Sequence, residues 1–374
     1  MPDSPAAAPP RRTVIWWLGW VTLVLVLLLV VAEITFRVTD AVAGRDADFY
    51  LPHQDLADAM YLPHPSLGLV LRPGTYGKGG YSGHINAFGM RGPETTREKP
   101  PGTVRILCIG SSTTFGTGAT SDDHTYPARL QELLRKATAA GRAPAGTTFE
   151  VLNGGVSGYN TADSLINLEL RLLELHPDLV LTYDAANDGR IIQTRGFLPD
   201  FSHARRPPPV LEISALERFL LGHVRTYARL ARGTDPERQV GALANWVFVP
   251  GFDQMGLPPS EGVNEYGLRV YERNMRSIVA VARSGGAEVV FQTFATRDTT
   301  SDQQRTLGPF IARANGLLHE LGDELGVGVA PVAEELSGQP DVWDDWIHFN
   351  DAGELRHAQV VATFLAQQGL FGLH

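Results

Sequence analysis

A short apolar run, Val104-Arg105-Ile106-Leu107-Cys108-Ile109, passes directly into Gly110-Ser111-Ser112-Thr113-Thr114-Phe115-Gly116. The length and branching of the run suit a buried strand. Glycine at its end permits a sharp turn and a close approach of the backbone to a ligand. Open α/β sheets gather their chemistry in the crevice outside the carboxyl ends of their strands. The pattern therefore constrains this part of the chain to strand, turn and helix, with a serine hydroxyl where a substrate would arrive. Taken alone, the same residues also fit an ordinary turn, because Ser, Thr and Gly all favour turns.

The alternation continues. A helix is expected near Tyr126–Leu134, with Pro127 suited to its first turn. A second strand over 149–153 leads to a helix carrying Leu165, Leu168 and Leu172, and a third strand over 178–183 ends near Asn187-Asp188. A helix over 270–283, a strand over 287–294, a helix from about Pro309 to Leu325 and a short strand over 327–330 follow, and Asp351–Gln367 closes the chain as a helix. Such alternation implies a parallel sheet covered on both faces. The expected fold is a three-layer α/β/α, flavodoxin-like domain over 101–374, opened by the Pro100-Pro101-Gly102 boundary.

Residues 190–265 are too long for a simple connection between sheet elements. They contain Arg205-Arg206-Pro207-Pro208-Pro209 and then Leu216, Phe219, Leu220, Val224, Tyr227 and Leu230 at helical spacing. This insertion reads as a lid beside the site or as a helix packed on the domain. Between residues 33 and 100 a stalk, to about residue 60, precedes a small irregular or β-rich extension marked by turn signals. Gly77-Lys78-Gly79 is no phosphate loop, since no Ser or Thr follows the lysine.

Val14–Ala32 is free of charge and about the length needed to cross a hydrocarbon core of roughly 30 Å. Arg11 and Arg12 precede it, and Trp16, Trp17 and Trp20 stand at its start, as in an interfacial aromatic belt. These features predict a cytoplasmic tail (1–13), a transmembrane signal-anchor (14–32) and a remainder outside the cytoplasm, periplasmic or extracellular. A cleaved signal peptide ending near Val30-Val31-Ala32, with secretion, is the competing reading, although the run exceeds the usual h-region of about 7–15 residues. A net charge of −9 without a Lys/Arg-rich run argues against nucleic acid as a partner. The single cysteine, Cys108, permits neither an intramolecular disulfide nor a cysteine metal site, and no His-Glu-x-x-His occurs.

Four blocks stand at predicted strand ends: Gly110-Ser111-Ser112, Asn153-Gly154-Gly155-Val156-Ser157-Gly158, Ala186-Asn187-Asp188-Gly189 and Asp345-Trp346-Ile347-His348. Their chemistry fits acyl transfer. A serine hydroxyl needs a neighbouring base, which His348 can supply. A carboxylate can orient the imidazole; Asp345 lies three residues earlier, and Asp344 is its rival. The oxyanion of a tetrahedral intermediate needs fixed donors, and the Ser112 and Gly158 N–H groups and the Asn187 amide are suitable. Asp351 reads as a helix cap, and Trp246, Trp343 and Trp346 as packing residues or the lining of a sugar or lipid site.

Together the blocks resemble the SGNH/GDSL hydrolase superfamily over roughly residues 101–374. The resemblance implies Ser112 as nucleophile, Gly158 and Asn187 as the second- and third-block residues, and Asp345 and His348 as the Asp-x-x-His pair. Ser111 departs from the family's Gly-Asp-Ser, which puts the subfamily in question. The α/β-hydrolase Gly-x-Ser-x-Gly is absent, since Thr114 stands two residues after Ser112. The stretch Ile85-Asn86-Ala87-Phe88-Gly89-Met90-Arg91-Gly92 also resembles segments that precede this domain in some membrane-anchored members. The expectation is an exported serine esterase without a cofactor, acting on an ester-containing small molecule, lipid or glycan. Acyl transfer to a sugar hydroxyl, or a non-catalytic scaffold on the same fold, are the alternatives.

Overall fold

In the computed structural model, which describes residues 11–43, 60–78, 81–194, 196–204, 214–232, 262–298 and 302–374, the apolar runs form one parallel sheet. The strands, numbered along the chain, are β1 (Tyr61–His64), β2 (Gly68–Leu71), β3 (Gly74–Lys78), β4 (Tyr81–Ile85), β5 (Thr103–Gly110), β6 (Thr148–Asn153), β7 (Leu179–Tyr183), β8 (Glu288–Gln292) and β9 (Gly328–Ala330). The central sheet runs β6-β5-β7-β8-β9, and every adjacent pair is parallel. Ile106, Leu107, Cys108 and Ile109 of β5 are all buried, as a strand covered on both faces requires. Strand order reverses around β5, which lies between β6 and β7. That is the topological switch point at which ligands bind in such sheets.

The Tyr126–Ala139 helix, with Pro127 in its first turn, packs on β6 and on the Asp351–Gln367 helix. The Glu265–Ser284 helix packs on β8 and on the Asp302–Leu325 helix. Three boundaries differ from expectation. Glu265–Ser284 begins earlier because Asn264 caps it, accepting from Gly267 N. Pro309 lies inside the Asp302–Leu325 helix rather than at its start. The helix with Leu165, Leu168 and Leu172 is α-helical over Thr161–Asn167 and continues as wider π turns over Leu168–Leu172, with Leu168 and Leu172 buried.

The extension is β-structure: β1 pairs with β2 and β3 with β4, both antiparallel. Single bridges, Ile85 to Arg91 and Arg91 to Asn153, then carry it to the end of β6.

Residues 58–208 with 244–374 form one compact unit, and residues 1–57 with 209–243 form another. In the latter, the N-terminal helix Arg11–Val42 continues past Ala32, so residues 33–42, the first part of the expected stalk, are helical. Its Ile15–Val42 segment is long and apolar enough to cross a membrane. The periodic stretch from Leu216 to Leu230 forms two helices, Ala215–His223 and Arg225–Arg232, broken at Val224 (φ −118°, ψ 96°). Residues 1–10, Gly79-Gly80, the Arg205–Pro209 run and residues 233–261 with Trp246 lie outside the described residues.

Candidate functional site

β5 delivers Gly110 at φ 153°, and a side chain there would strike Tyr183 O at 2.5 Å and Thr114 Oγ1 at 2.3 Å. Glycine is therefore the residue that lets the chain turn between β7 and its own following helix. That helix is a single turn, Ser112–Phe115, with Ser112 at its first position. Ser112 is partly exposed, whereas Ser111 is buried with its hydroxyl 3.3 Å from Thr113 Oγ1. Of the two serines, only Ser112 is accessible.

Ser112 Oγ lies 2.8 Å from His348 Nε2, and His348 Nδ1 lies 2.7 Å from Asp345 Oδ2. With its proton on Nδ1, the ring donates to Asp345 and accepts from Ser112. Asp345 Oδ1 also accepts from the backbone N–H groups of Ile347 and His348, each at 2.8 Å. Burial pushes the Asp345 carboxyl up, but the hydrogen bonds from His348 and from these amides outweigh it and hold it below the usual carboxylate value. The rival Asp344 is exposed and meets His348 only through its backbone, donating from N to His348 O at 2.9 Å.

The second block lies against the first. Val156 N donates to Gly110 O at 3.0 Å, and a side chain on Gly155 would sit 2.3 Å from Phe115 N. Gly158 takes φ 89° in the turn that leads to Tyr159. The Asn187 amide, in the first turn of the Ala186–Ile192 helix after β7, donates to Tyr159 O at 2.8 Å. One of its two N–H groups is thus directed to the second block. Among the described residues, neither Ser112 N nor Gly158 N donates to a backbone acceptor outside the helices and strands. Asp351 is not the cap of the last helix: Asn350 is, accepting from Ala352 N and Gly353 N, while Asp351 holds Thr120 N at 2.9 Å. Trp343 stacks on Phe349, with ring centroids 4.5 Å apart, and so packs the loop before His348.

Several supports escaped sequence reasoning. The buried Arg91 guanidinium donates to Phe115 O (2.9 Å), Gly116 O (2.7 Å) and Asp122 Oδ1 (2.7 Å), gripping the end of the Ser112–Phe115 turn. Tyr159 donates its hydroxyl to Leu69 O at 2.7 Å, so β2 of the extension braces the second block. Asp188 is fully buried and accepts from Thr161 N and Oγ1, tying the third block to the helix after the second. Burial pushes the Asp188 carboxyl up to about 7, against the Thr161 hydrogen bonds. Asp184 beside it is pushed well above its ordinary value by burial and by Asp188. The one signal available was the Ile85-to-Gly92 stretch, where Arg91 stands.

Cys108 is buried and unbonded to any other cysteine, and burial raises its thiol to about 12. Among the described residues, no group of three or more His, Cys, Asp or Glu side chains is arranged to hold a metal ion.

The fold resembles several solved structures at low identity. The acetyl xylan esterase AlAXEase is 13% identical, with 70% of this chain and 98% of that one covered at a TM-score of 0.41. An acetylxylan esterase from Geobacillus stearothermophilus is 14% identical, with 70% and 94% covered and a TM-score of 0.41. A GDSL-like lipase from Bacteroides thetaiotaomicron is 12% identical, with 71% and 89% covered and a TM-score of 0.38. No curated protein matches the chain. The model of the GDSL-like lipase/acylhydrolase family matches residues 108–356, more than half of the 374. The chain therefore belongs to the GDSL-like lipase/acylhydrolase family, and is an ester hydrolase of the serine type.

Proposed function

We propose that this protein is a membrane-anchored esterase, exported from the cytoplasm, in which Ser112, His348 and Asp345 act as the catalytic triad. The observation that carries this reading is the unbroken hydrogen-bonded chain from Ser112 Oγ through His348 to Asp345. His348 Nε2 takes the hydroxyl proton as Ser112 attacks the ester carbonyl. Asp345, kept ionised, stabilises the imidazolium that forms. The Ser112 and Gly158 N–H groups and the free N–H of Asn187 receive the oxyanion. His348 then protonates the leaving alcohol, and water, activated by the same ring, releases the acyl group.

The apolar run of the N-terminal helix, preceded by Arg11 and Arg12, supports anchoring with the catalytic unit outside the cytoplasm. At that location, acyl or acetyl esters of a cell-surface glycan or lipid are the substrates within reach. The test is hydrolysis of p-nitrophenyl esters of increasing chain length by the full-length protein in detergent. Turnover that falls with chain length assigns short acyl groups such as acetyl. No release of p-nitrophenol above the Ser112→Ala variant, for any ester, overturns the reading.

A further inference from the structure

The N-terminal unit exposes apolar side chains in an unusual concentration. Outside the N-terminal helix, the exposed large hydrophobic residues among those described are Leu170, Leu198, Leu216, Phe219, Leu230 and Tyr266. Three of these six fall within the short 215–232 helical pair. Leu216 is 67% exposed, Phe219 55% and Leu230 82%. Leu216, Phe219 and His223 follow one face of the Ala215–His223 helix, with the Phe219 and His223 rings stacked. The outer end of the N-terminal helix adds a second exposed apolar row, Ile34, Val38 and Val42, at i, i+4 and i+8.

The other face of that outer end is charged, and it grips the helical pair where the pair breaks. Glu33 accepts from Arg225 N (2.9 Å) and Thr226 N (2.8 Å), placing an anion at the start of the Arg225–Arg232 helix. Arg37 donates to His223 O at 2.6 Å, placing a cation at the end of the preceding helix. Asp40, nearly fully buried, pairs with Arg229, whose guanidinium also lies 4.7 Å from the centre of the Phe36 ring. Glu33, Arg37 and Asp40 stand at i, i+4 and i+7 and so share one face.

Height follows from helix rise. At about 1.5 Å per residue, the uncharged 14–32 run spans roughly 28 Å, close to the hydrocarbon thickness. Glu33 then stands at the hydrocarbon edge, and residues 34–42 pass through the headgroup layer. The helical pair is fixed to these residues and so lies at the same depth. An amphipathic helix at that level buries its apolar face roughly 5–10 Å into the boundary between headgroups and acyl chains. Tyr227 in the same pair is of the kind enriched at that boundary.

We propose that the 215–232 helical pair is a second membrane contact. It docks on the charged face of the outer end of the N-terminal helix and lays Leu216, Phe219 and Leu230 into the lipid interface. The proposal rests on the N-terminal helix spanning the bilayer. It assigns this part of the 190–265 insertion to the membrane rather than to a lid. Single cysteines at 216, 219, 230 and, in the span, 24 can be labelled with an environment-sensitive fluorophore, the buried Cys108 of the wild type serving as the labelling blank. The full chain is then reconstituted in phosphatidylethanolamine–phosphatidylglycerol vesicles carrying spin-labelled lipids. Loss of fluorescence is expected at all four sites. At 216, 219 and 230 it should be stronger for a label near the headgroup than for one near the chain end, with the reverse at 24. In the Glu33→Ala/Asp40→Ala variant, the loss at 216, 219 and 230 should shrink while that at 24 stays, with turnover of a water-soluble ester unchanged. Quenching at 24 without quenching at the other three overturns the proposal and leaves the anchor standing. Protection of those three from aqueous iodide without lipid quenching also overturns it, and assigns the face to a second copy or another protein. Absence of quenching at 24 overturns the anchor itself, and the proposal with it.

Discussion

Two arginine–aspartate pairs, one in each compact unit, put the same chemistry to different use. In the catalytic unit, Arg91 meets Asp122 at 2.7 Å through Nε and donates from Nη1 to the carbonyls that end the Ser112–Phe115 turn. In the N-terminal unit, Arg229 meets Asp40 and fixes a helical pair to the C-terminal end of the N-terminal helix. Each pair is largely buried, and neither charge stands where the protein acts. A buried pair is weak evidence of stability by itself, since desolvation offsets much of the attraction. The two pairs are better understood as positional: one sets the attitude of the Ser112–Phe115 turn, the other that of the 215–232 helical pair. The apolar residues around them differ accordingly. The catalytic unit hides Leu, Ile and Phe around its sheet, while the N-terminal unit leaves Ile34, Val38, Leu216 and Phe219 exposed.

The comparison is broken most severely at Ser112, the proposed nucleophile. Ser112→Ala should cost on the order of 10⁶-fold in kcat, as loss of the nucleophile does in a serine protease, and Asp345→Asn about 10⁴-fold. Neither change should alter lipid association of the N-terminal unit, which flotation with vesicles measures. Asn187→Ala should lower kcat about 100–1000-fold with a smaller change in KM, since an oxyanion donor acts in the transition state. Part of that loss reflects the second-block tie to Tyr159 O.

The two arginines sharpen the contrast. Arg91→Ala removes a buried donor from Asp122, Phe115 O and Gly116 O, leaving His84 N on Asp122 and Asn153 Nδ2 on Phe115 O. It should destabilise the catalytic unit by about 3–5 kcal/mol in urea unfolding and reduce the rate of serine labelling. Arg229→Ala should leave kcat on a soluble ester untouched while loosening the helical pair, measured as faster amide exchange over 215–232. Equal effects of both variants on kcat would show that the division of labour is wrong.

The smallest expected effect is on pH dependence. Burial raises Asp188 to about 7 and Glu354 to about 8 in the folded state, well above the roughly 4 of the unfolded chain. Between those values the folded protein holds more protons than the unfolded one, so stability falls as pH rises from about 4 towards 8. Thermal melting should therefore be higher at pH 5 than at pH 8, and Asp188→Asn should flatten the slope. Asp345 runs the other way, because its depressed value contributes stability that is lost on acidification.

The sheet and the four blocks were legible in the sequence because their signals are local. Apolar strands, glycine turns and the three-residue step from Asp345 to His348 are each visible within a short window. What supports them is not local. Arg91 reaches Phe115 across 24 positions, Asp188 meets Thr161 across 27, and Tyr159 meets Leu69 across 90. A single buried arginine in a Gly- and Pro-rich extension looks like a loop residue until its acceptors are known. The helical character of residues 33–42 was hidden for the same reason. Glu33, Arg37 and Asp40 interrupt the apolar run, and the groups that hold them lie 192, 186 and 189 positions away. The choice of Ser112 over Ser111 came from the resemblance; the physical reason for it, burial of Ser111 against Thr113, is visible only in three dimensions.

The central claim is that Ser112 is the activated nucleophile of this protein. Reaction of the folded, full-length chain with a fluorophosphonate, followed by mass mapping of the adduct, tests it most directly. The account predicts a single phosphonyl adduct on Ser112, lost in Ser112→Ala and strongly slowed in His348→Ala. An adduct on Ser111, or no adduct under conditions that label a known serine esterase, would contradict it.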